Sequence, residues 1–392
     1  MRSNSVHHPF NLLLGFILSV WLGTAFATTP TAIPPAPTPA APKVAARSHL
    51  LVDFDSGRVL AAGNEDQRVE PASITKLMTE YIVFRELQTG NLKLSDEVTI
   101  SEKAWRTPGS RMFVDVHSRV PVEALLQGVI VQSGNDATVA LAEHIAGSEE
   151  TFAGMMNLQA QRLGMTNTNF VNSTGLPDPN HYTTARDIAI LTAALIREFP
   201  DYYAKWHAQK EFRYNNINQY NRNRLLWRDP SVDGVKTGHT ESAGYCLVAS
   251  ALRDGMRLIS VVIGTKSEET RAQESQALLN YGFRFYQTHK LYAANQPLTQ
   301  ARVWKGAADV LPLGLDRDLY VTIPRGQYKQ LNASMTVNGG LSAPVAKGTS
   351  VGTVRVVLND EVIVEQPLVA LEAMAEGGIF RRLKDAVLMW FE

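Results

Sequence analysis

Strand-forming segments at two distant points of the chain bracket a long helical stretch, and this arrangement leaves few folds open. Leu50-Leu51-Val52-Asp53-Phe54 and Arg58-Val59-Leu60-Ala61 flank Asp55-Ser56-Gly57, a turn composition that predicts a hairpin. Tyr245 to Ala251 and Leu258 to Ile263 are joined by Arg253-Asp254-Gly255, a second hairpin signal. Between the two, from Val120 to about Leu195, apolar residues recur at helical spacing: Val122, Leu125, Leu126 and Val129, then Ala137, Leu141 and Ile145. Thr184-Ala185-Arg186-Asp187 reads as a capping box ahead of Ile188-Ala189-Ile190-Leu191, and residues 272–286 return to helix. The expectation is an α+β domain over residues 47–290, its strands coming from both ends around a helical middle.

What lies outside that domain has a different texture. After Leu291 come short β-rich runs, Leu319 to Ile323, Met335 to Val337, Val351 to Leu358 and Val362 to Val364, with Asn338-Gly339-Gly340 and Asn359-Asp360 as turns. They predict a small all-β domain over residues 291–375. At the other end, Arg2, the apolar run Phe10 to Leu22 and the small residues of Ala25-Phe26-Ala27 read as a signal peptide, residues 1–27, cleaved after Ala27. Residues 28–46, rich in proline, alanine and threonine, read as an extended mobile linker. The mature chain is therefore expected to be exported.

Residues 376–392 form a further unit. On a helical wheel Ile379, Phe380, Leu383, Val387, Trp390 and Phe391 share one side, and Arg381, Arg382 and Asp385 the other. About 15 helical residues reach roughly 23 Å, short of the ~30 Å hydrocarbon core. A basic, aromatic-edged helix of this kind is suited to lie in a membrane surface, with docking on the protein's own core as the alternative.

Composition removes several classes of function. Thirty-eight basic residues balance 38 acidic ones, so there is no electrostatic case for a nucleic-acid partner. Cys246 is the only cysteine, which excludes a disulfide framework and a cysteine-rich zinc site. Nine scattered histidines and no His-Glu-x-x-His offer no metal centre, and neither metal nor cofactor is expected.

Chemistry gathers in three short clusters. In Pro71-Ala72-Ser73-Ile74-Thr75-Lys76-Leu77-Met78-Thr79, Ser73 and Lys76 sit three residues apart at an expected helix start, so hydroxyl and amine share a face. A lysine serves as the base for a serine only if burial and nearby positive charge depress its pKa. Gln132-Ser133-Gly134-Asn135-Asp136 offers Ser133 as a proton shuttle and Asn135 as a donor to a substrate amide, although Ser-Gly-Asn is also a common turn. Gly234-Val235-Lys236-Thr237-Gly238-His239 precedes the second hairpin. On an edge strand it would pair with an extended peptide while Lys236 and Thr237 reach a carboxylate and Gly238 leaves room for the approach.

Each cluster alone is ordinary, but the ordered set Ser-x-x-Lys, Ser-x-Asn, Lys-Thr-Gly is not. With Leu163-Gly164-Met165, Gly175-Leu176 and Thr184-Ala185-Arg186-Asp187, it resembles the D-alanyl-D-alanine carboxypeptidases, the type 5/6 penicillin-binding proteins of Gram-negative bacteria, over nearly the whole mature chain. The β-rich second domain and terminal helix match that layout. The resemblance implies a penicillin-binding, serine β-lactamase-like catalytic domain in which Ser73 attacks the bond between two terminal D-alanines of a peptidoglycan stem pentapeptide. Lys76, Ser133 and Asn135 would manage protons and water. The backbone N–H groups of Ser73 and His239 would hold the oxyanion. Lys236, Thr237 and Arg271 would hold the terminal carboxylate, with Arg271 as a surface helix residue the bland alternative. β-Lactams would acylate Ser73.

Three rivals stay open on sequence grounds. A class A β-lactamase deacylates with a glutamate, and Glu211-Phe212-Arg213-Tyr214-Asn215 has a related form but lies too far past Ser133. A DD-endopeptidase acting on cross-links is closer. A non-catalytic scaffold that binds wall peptides is argued against by three intact motifs.

Overall fold

The computed structural model describes residues 38–390. The expected signal peptide, the linker up to residue 37 and the terminal Phe391 and Glu392 lie outside the described residues.

The two sequence-distant hairpins meet in one antiparallel sheet. Ser48–Asp53 (β1), Val59–Gly63 (β2), Val232–Thr240 (β3), Gly244–Arg253 (β4) and Met256–Thr265 (β5) are ordered β2-β1-β5-β4-β3. The seam is β1 against β5, with Ser48 opposite Ile263 and Asp53 opposite Leu258. Asp254 and Gly255 turn β4 into β5 at φ 49° and 79°, the left-handed pair that a two-residue hairpin loop requires. Strand β3, which carries Lys236-Thr237-Gly238, pairs only with β4 and so forms an edge of the sheet.

Alternation along the strands sends side chains into two cores. Cys246 and Val248 face a helical layer, while Leu247, Ala249 and Ala251 face the helix Glu268–Phe285 that covers the other side. The helical layer contains Lys76–Thr89 (α1), Asn135–Ala146 (α2), Glu149–Leu163 (α3), Ala185–Glu198 (α4) and Pro200–Trp206 (α5), and Glu268–Phe285 is α6. Phe84, Leu126, Leu141, Phe152 and Ile188 fill the space between the helices with no side chain more than 1% exposed. Thr184 caps α4, its hydroxyl accepting from Asp187 N at 3.1 Å. The reciprocal half of a capping box is missing, because the Asp187 carboxylate accepts instead from Asn167 N and Thr168 Oγ1.

The β-rich region begins earlier than the sequence suggested. Tyr286–Tyr292 (β6) follows α6 directly and pairs with Leu319–Pro324, so one strand crosses the expected boundary at residue 290. Thr299–Arg302 (β7), Val310–Gly314 (β8), Leu319–Pro324 (β9), Leu331–Val337 (β10), Ser350–Leu358 (β11) and Glu361–Ala370 (β12) complete the region. Strands β7, β8, β12, β11 and β10 make a second five-stranded sheet. Asn359 and Asp360, both at positive φ, form the expected turn between β11 and β12.

The described residues, 38–390, belong to a single compact unit. The first hairpin turn is knitted to β6 and β9 by the wholly buried Asp53, which accepts from Ser56 and from Thr288 Oγ1, the latter at 2.6 Å. Ser56 Oγ in turn lies 2.6 Å from Thr322 Oγ1. The described end of the linker is held on the protein: Val44 and Ala46 pack on the sheet core, and Tyr281 donates its hydroxyl hydrogen to Pro39 O at 3.0 Å.

The final helix, Ile379–Leu388 (α7), has ten residues, fewer than the pattern suggested. Its polar side faces the protein. Asp385, 8% exposed, accepts from Lys305 N at 2.6 Å, Arg381 pairs with Asp309, and Arg382 reaches Glu376 at 2.6 Å. Its apolar side faces away, with Phe380 and Trp390 each 90% exposed and Ile379 72% exposed. This is the inverse of a helix docked on its own core. Among the described residues no helix is long and apolar enough to cross a membrane.

Candidate active site

Ser73 lies on a single 3-10 turn, Ala72–Thr75, and the α-helix opens at Lys76 rather than at the serine. The tighter turn aids the pairing, because residues three apart eclipse in 3-10 geometry. Lys76 Nζ stands 3.0 Å from Ser73 Oγ and donates to Thr174 O at 2.7 Å. Ala72, just before the serine, holds φ 48°, a left-handed conformation rare for a residue with a side chain. Its carbonyl rests on Gly175, where a Cβ would lie 1.8 Å from Ala72 O, so only glycine fits beneath the turn. His181 braces the same turn. Its Nδ1 accepts from Val171 N, which leaves Nε2 to donate to Thr75 Oγ1 at 2.8 Å. Burial pushes the imidazole down to about 4, so it stays neutral at ordinary pH.

Lys76 is wholly buried. Burial first, and the neighbouring Lys236 ammonium second, hold its pKa well below the usual amine range, with Glu80 and Asp136 opposing. Lys236 is 2% exposed and makes only a long contact, 3.4 Å, with Thr237 O. Burial brings its pKa down to about 7, again with Glu80 opposing. Two buried lysines that repel each other cannot both hold a proton cheaply, and Lys76, the one beside Ser73 Oγ, is the natural base.

Ser133 follows a wide helical turn, Gly128–Gln132, and takes φ 64°. Its buried hydroxyl has no partner. Asn135 opens α2. Its Nδ2 donates to Pro108 O at 2.6 Å, so the amide expected to serve a substrate is shared with a loop carbonyl, and its Oδ1 is buried without a partner. Asp136 fixes that loop. Its wholly buried carboxylate accepts from Met112 N and Phe113 N, each at 2.8 Å, and from Val114 N at 3.3 Å.

On the edge strand, Gly238 answers a need different from the expected one. A Cβ there would lie 3.2 Å from Ser73 N, Ile74 N and Pro71 O, so the glycine lets β3 lie against the nucleophile turn. The His239 side chain is exposed, with its ring 4.0 Å from that of Tyr245. Arg271 is no surface residue: it is 3% exposed, donates to Gly238 O at 3.2 Å and lies 5.6 Å above the Tyr245 ring.

Ser73, Ser133, Thr237, Gly238, His239 and Arg271 line one cleft of about 390 Å³. Lys76 and Lys236 lie buried behind it. Among the described residues no three His, Cys, Asp or Glu side chains gather as metal ligands. Glu211 is exposed on a separate hairpin, Glu211–Tyr214 with Ile217–Tyr220, outside this cleft. A hydroxyl beside a buried amine, with Arg222 and Arg271 lining the same cleft, suits acyl transfer to a substrate ending in a carboxylate.

The sequence profile of D-alanyl-D-alanine carboxypeptidases matches residues 36–267. The chain belongs to this family. A profile of the C-terminal domain of penicillin-binding protein 5 matches residues 286–376, starting where β6 starts. The D-alanyl-D-alanine carboxypeptidase DacC of Escherichia coli (strain K12) is 47% identical, covering 93% of this chain and 93% of that protein. The crystal structure of penicillin-binding protein 5 from Haemophilus influenzae superposes with a TM-score of 0.83 at 43% identity, over 86% of this chain and 99% of that one. Penicillin-binding protein D2 from Listeria monocytogenes, solved in its ampicillin-bound form, matches 61% of this chain and 98% of its own at 27% identity, with a TM-score of 0.57. The α+β penicillin-binding fold with a β-rich C-terminal region is therefore the fold of this family member.

Several cleft residues of this carboxypeptidase family member escaped the sequence reading. Arg222, Tyr245 and Glu268 all line the cleft, beside Gly109 and Ser110 of a loop that the family resemblance already placed at its border. Arg222 has no motif around it, and only the fold brings it to the lysines. Tyr245 had a signal, since it pairs with His239 across the β3–β4 ladder.

Proposed function

We propose that the protein is an exported serine D-Ala-D-Ala carboxypeptidase that removes the terminal D-alanine from peptidoglycan stem pentapeptides through an ester on Ser73. The observation that carries this reading is the 3.0 Å approach of Ser73 Oγ to the buried Lys76 amine, beside a cleft that Arg222 and Arg271 also line. Neutral Lys76 takes the serine proton as Oγ attacks the carbonyl carbon of the D-Ala–D-Ala amide. The N–H groups of Ser73 and His239 hold the oxyanion. As the C–N bond breaks, Lys76 returns the proton to the departing amine, by way of the Ser133 hydroxyl. Water then cleaves the ester, with Lys76, Ser133 and Asn135 handling its protons, and the serine is regenerated. Lys236, Thr237 and Arg271 hold the terminal carboxylate, to which we add Arg222.

A β-lactam places a carbonyl and a carboxylate in the same relation, so benzylpenicillin is expected to form a lasting ester with the wild-type protein and none with Ser73→Ala. Mass spectrometry of the labelled protein checks this. Equal labelling of the two, or none of either, counts against the assignment.

The chain is organised as a signal peptide (1–27), linker (28–46), catalytic domain, β-rich domain and surface anchor (376–392), with the boundary between the two domains moved from residue 290 to the start of β6 at Tyr286. Its place is the periplasmic face of the inner membrane. The outward apolar side of α7 supports the anchor. Burying a large apolar side chain contributes about 1.5–3 kcal/mol. Phe380→Ser with Trp390→Ser is therefore expected to weaken co-sedimentation with anionic phospholipid vesicles by at least roughly 100-fold. Unchanged partition would exclude α7 as the anchor.

A further inference from the structure

A buried acidic side chain behind the cleft has no part in the steps above. Glu80 follows Lys76 by one helical turn on α1, and both are wholly buried. Its Oε2 lies 3.1 Å from Nε2 of His207, which is also wholly buried just past α5. The imidazole stacks on Tyr203 at 4.5 Å, with Phe84 at its edge. Glu80 Oε1 and His207 Nδ1 are buried with no hydrogen-bond partner among the described residues. An acid–imidazole pair in so apolar a shell costs stability unless something else holds it there.

The position of the pair supplies that reason. Glu80 sits on the helix that carries Lys76, and His207 sits against the strand that carries Lys236. A Cβ on Gly234, two residues before Lys236, would lie 3.3 Å from His207 Cβ and 2.5 Å from the Tyr203 hydroxyl. The charged groups that act on the two lysines are few. Lys76 feels Lys236, Glu80, Arg222 and Asp136, and Lys236 feels Glu80, Arg222 and Arg271. His181, on the nucleophile turn, stays neutral. Asp136 is committed to the loop N–H groups. Among the described residues, Glu80 is thus the carboxylate that acts strongly on both lysines, one helical turn from Lys76 and facing several cations.

We propose that Glu80, oriented by His207, is a positioning residue that serves as the shared counter-charge of Lys76 and Lys236 and sets the pH window in which the first is neutral while the second is charged. This rests on the roles proposed for Ser73, Lys76 and Lys236. Without the carboxylate, both ammonium forms lose an attractive partner and both lysines give up their protons at lower pH. Lys76 must lose its proton to act, so the acid limb of the rate profile moves to lower pH. Lys236 must keep its proton to bind a carboxylate, so the alkaline limb moves the same way. A residue that merely filled space would change the height of the profile and leave both limbs where they were.

The test is the second-order rate of acylation by benzylpenicillin, followed from about pH 5 to about pH 10 in the full chain. Glu80→Gln is expected to shift both limbs to lower pH by about one unit. Limbs that stay in place, whatever the height of the profile, overturn the proposal. If Glu80→Gln fails to give a cooperative melt, Glu80→Asp carries the test, since it keeps the charge but draws it back by one methylene. It should shift both limbs in the same direction by a smaller amount, roughly 0.3 unit, and unmoved limbs again overturn the idea. A wild-type protein that is not acylated at all would instead remove the carboxypeptidase reading itself, so the two failures are distinguishable.

Discussion

Lys76→Met is expected to slow acylation of Ser73 by roughly 10²–10⁴-fold, the span that a positioned general base supplies. The substitution fits the site, because methionine is unbranched and of similar length, and the lysine lies wholly inside the protein. The variant loses the bond to Thr174 O, which costs about 1–3 kcal/mol if that carbonyl stays unpaired. It also removes the cost of burying an amine that gives up its proton on folding, which acts in the other direction. Folding should therefore survive, and a melting curve beside the rate measurement separates lost chemistry from lost structure. In the wild type, Lys76 is held well below the usual amine range, chiefly by burial and then by Lys236. The rate should accordingly rise with pH through an acid limb, and in Lys76→Met that limb should be absent. A variant that acylates within a few-fold of wild type would place the base elsewhere.

The second large effect belongs to the carboxylate end. Lys236→Gln removes a buried charge aimed at the substrate terminus, and such losses cost about 2–5 kcal/mol, or roughly 30-fold to a few thousand-fold in kcat/KM. A pair of substrates shows the cause. Wild type should prefer a peptide ending in a free D-alanine carboxylate over the same peptide with a C-terminal amide, and Lys236→Gln should lose most of that preference. The pH dependence carries a definite sign. Lys236 binds as the ammonium, and its pKa is lowered to about 7, first by burial. In the free enzyme kcat/KM should fall as pH rises through that region, and the fall should vanish in the variant. A variant that kept its preference for the free acid would assign the carboxylate to Arg271 and Arg222 alone.

Local signals in the sequence carried much of the fold. Asp254-Gly255 and Asn359-Asp360 are turns because their residue types tolerate positive φ, and Thr184 caps α4 because a threonine hydroxyl in that place accepts from the free N–H of Asp187, three residues on. Edge placement of Lys236-Thr237-Gly238 was also foreseeable, since strand β3 precedes a hairpin that continues the sheet. Ser73 and Lys76 were read as neighbours on an α-helix, whereas a 3-10 turn holds the serine, a difference set by the strained Ala72 resting on the distant Gly175.

What stayed hidden depends on contacts between remote segments. Glu80 directly follows the Ser-x-x-Lys stretch, but His207, 127 residues on, has no motif around it to mark the pair. The clamp of Asp136 on the loop at Met112–Val114 reads in sequence as one more acid after a turn. The wheel of the final helix showed two faces but not which face would dock. Asp385 decides it, by accepting from Lys305 N on a strand-rich region with no sequence link to the helix.

The central claim is that Ser73 carries the acyl group of a D-Ala-D-Ala substrate, and D-alanine release tests it most directly. The purified protein would be incubated with a peptide ending in D-Ala-D-Ala and compared with Ser73→Ala. The expected result is release of one D-alanine per peptide by the wild type and none above background by the variant. Release that persists in a folded Ser73→Ala protein, or its absence from a folded wild type, would contradict the account.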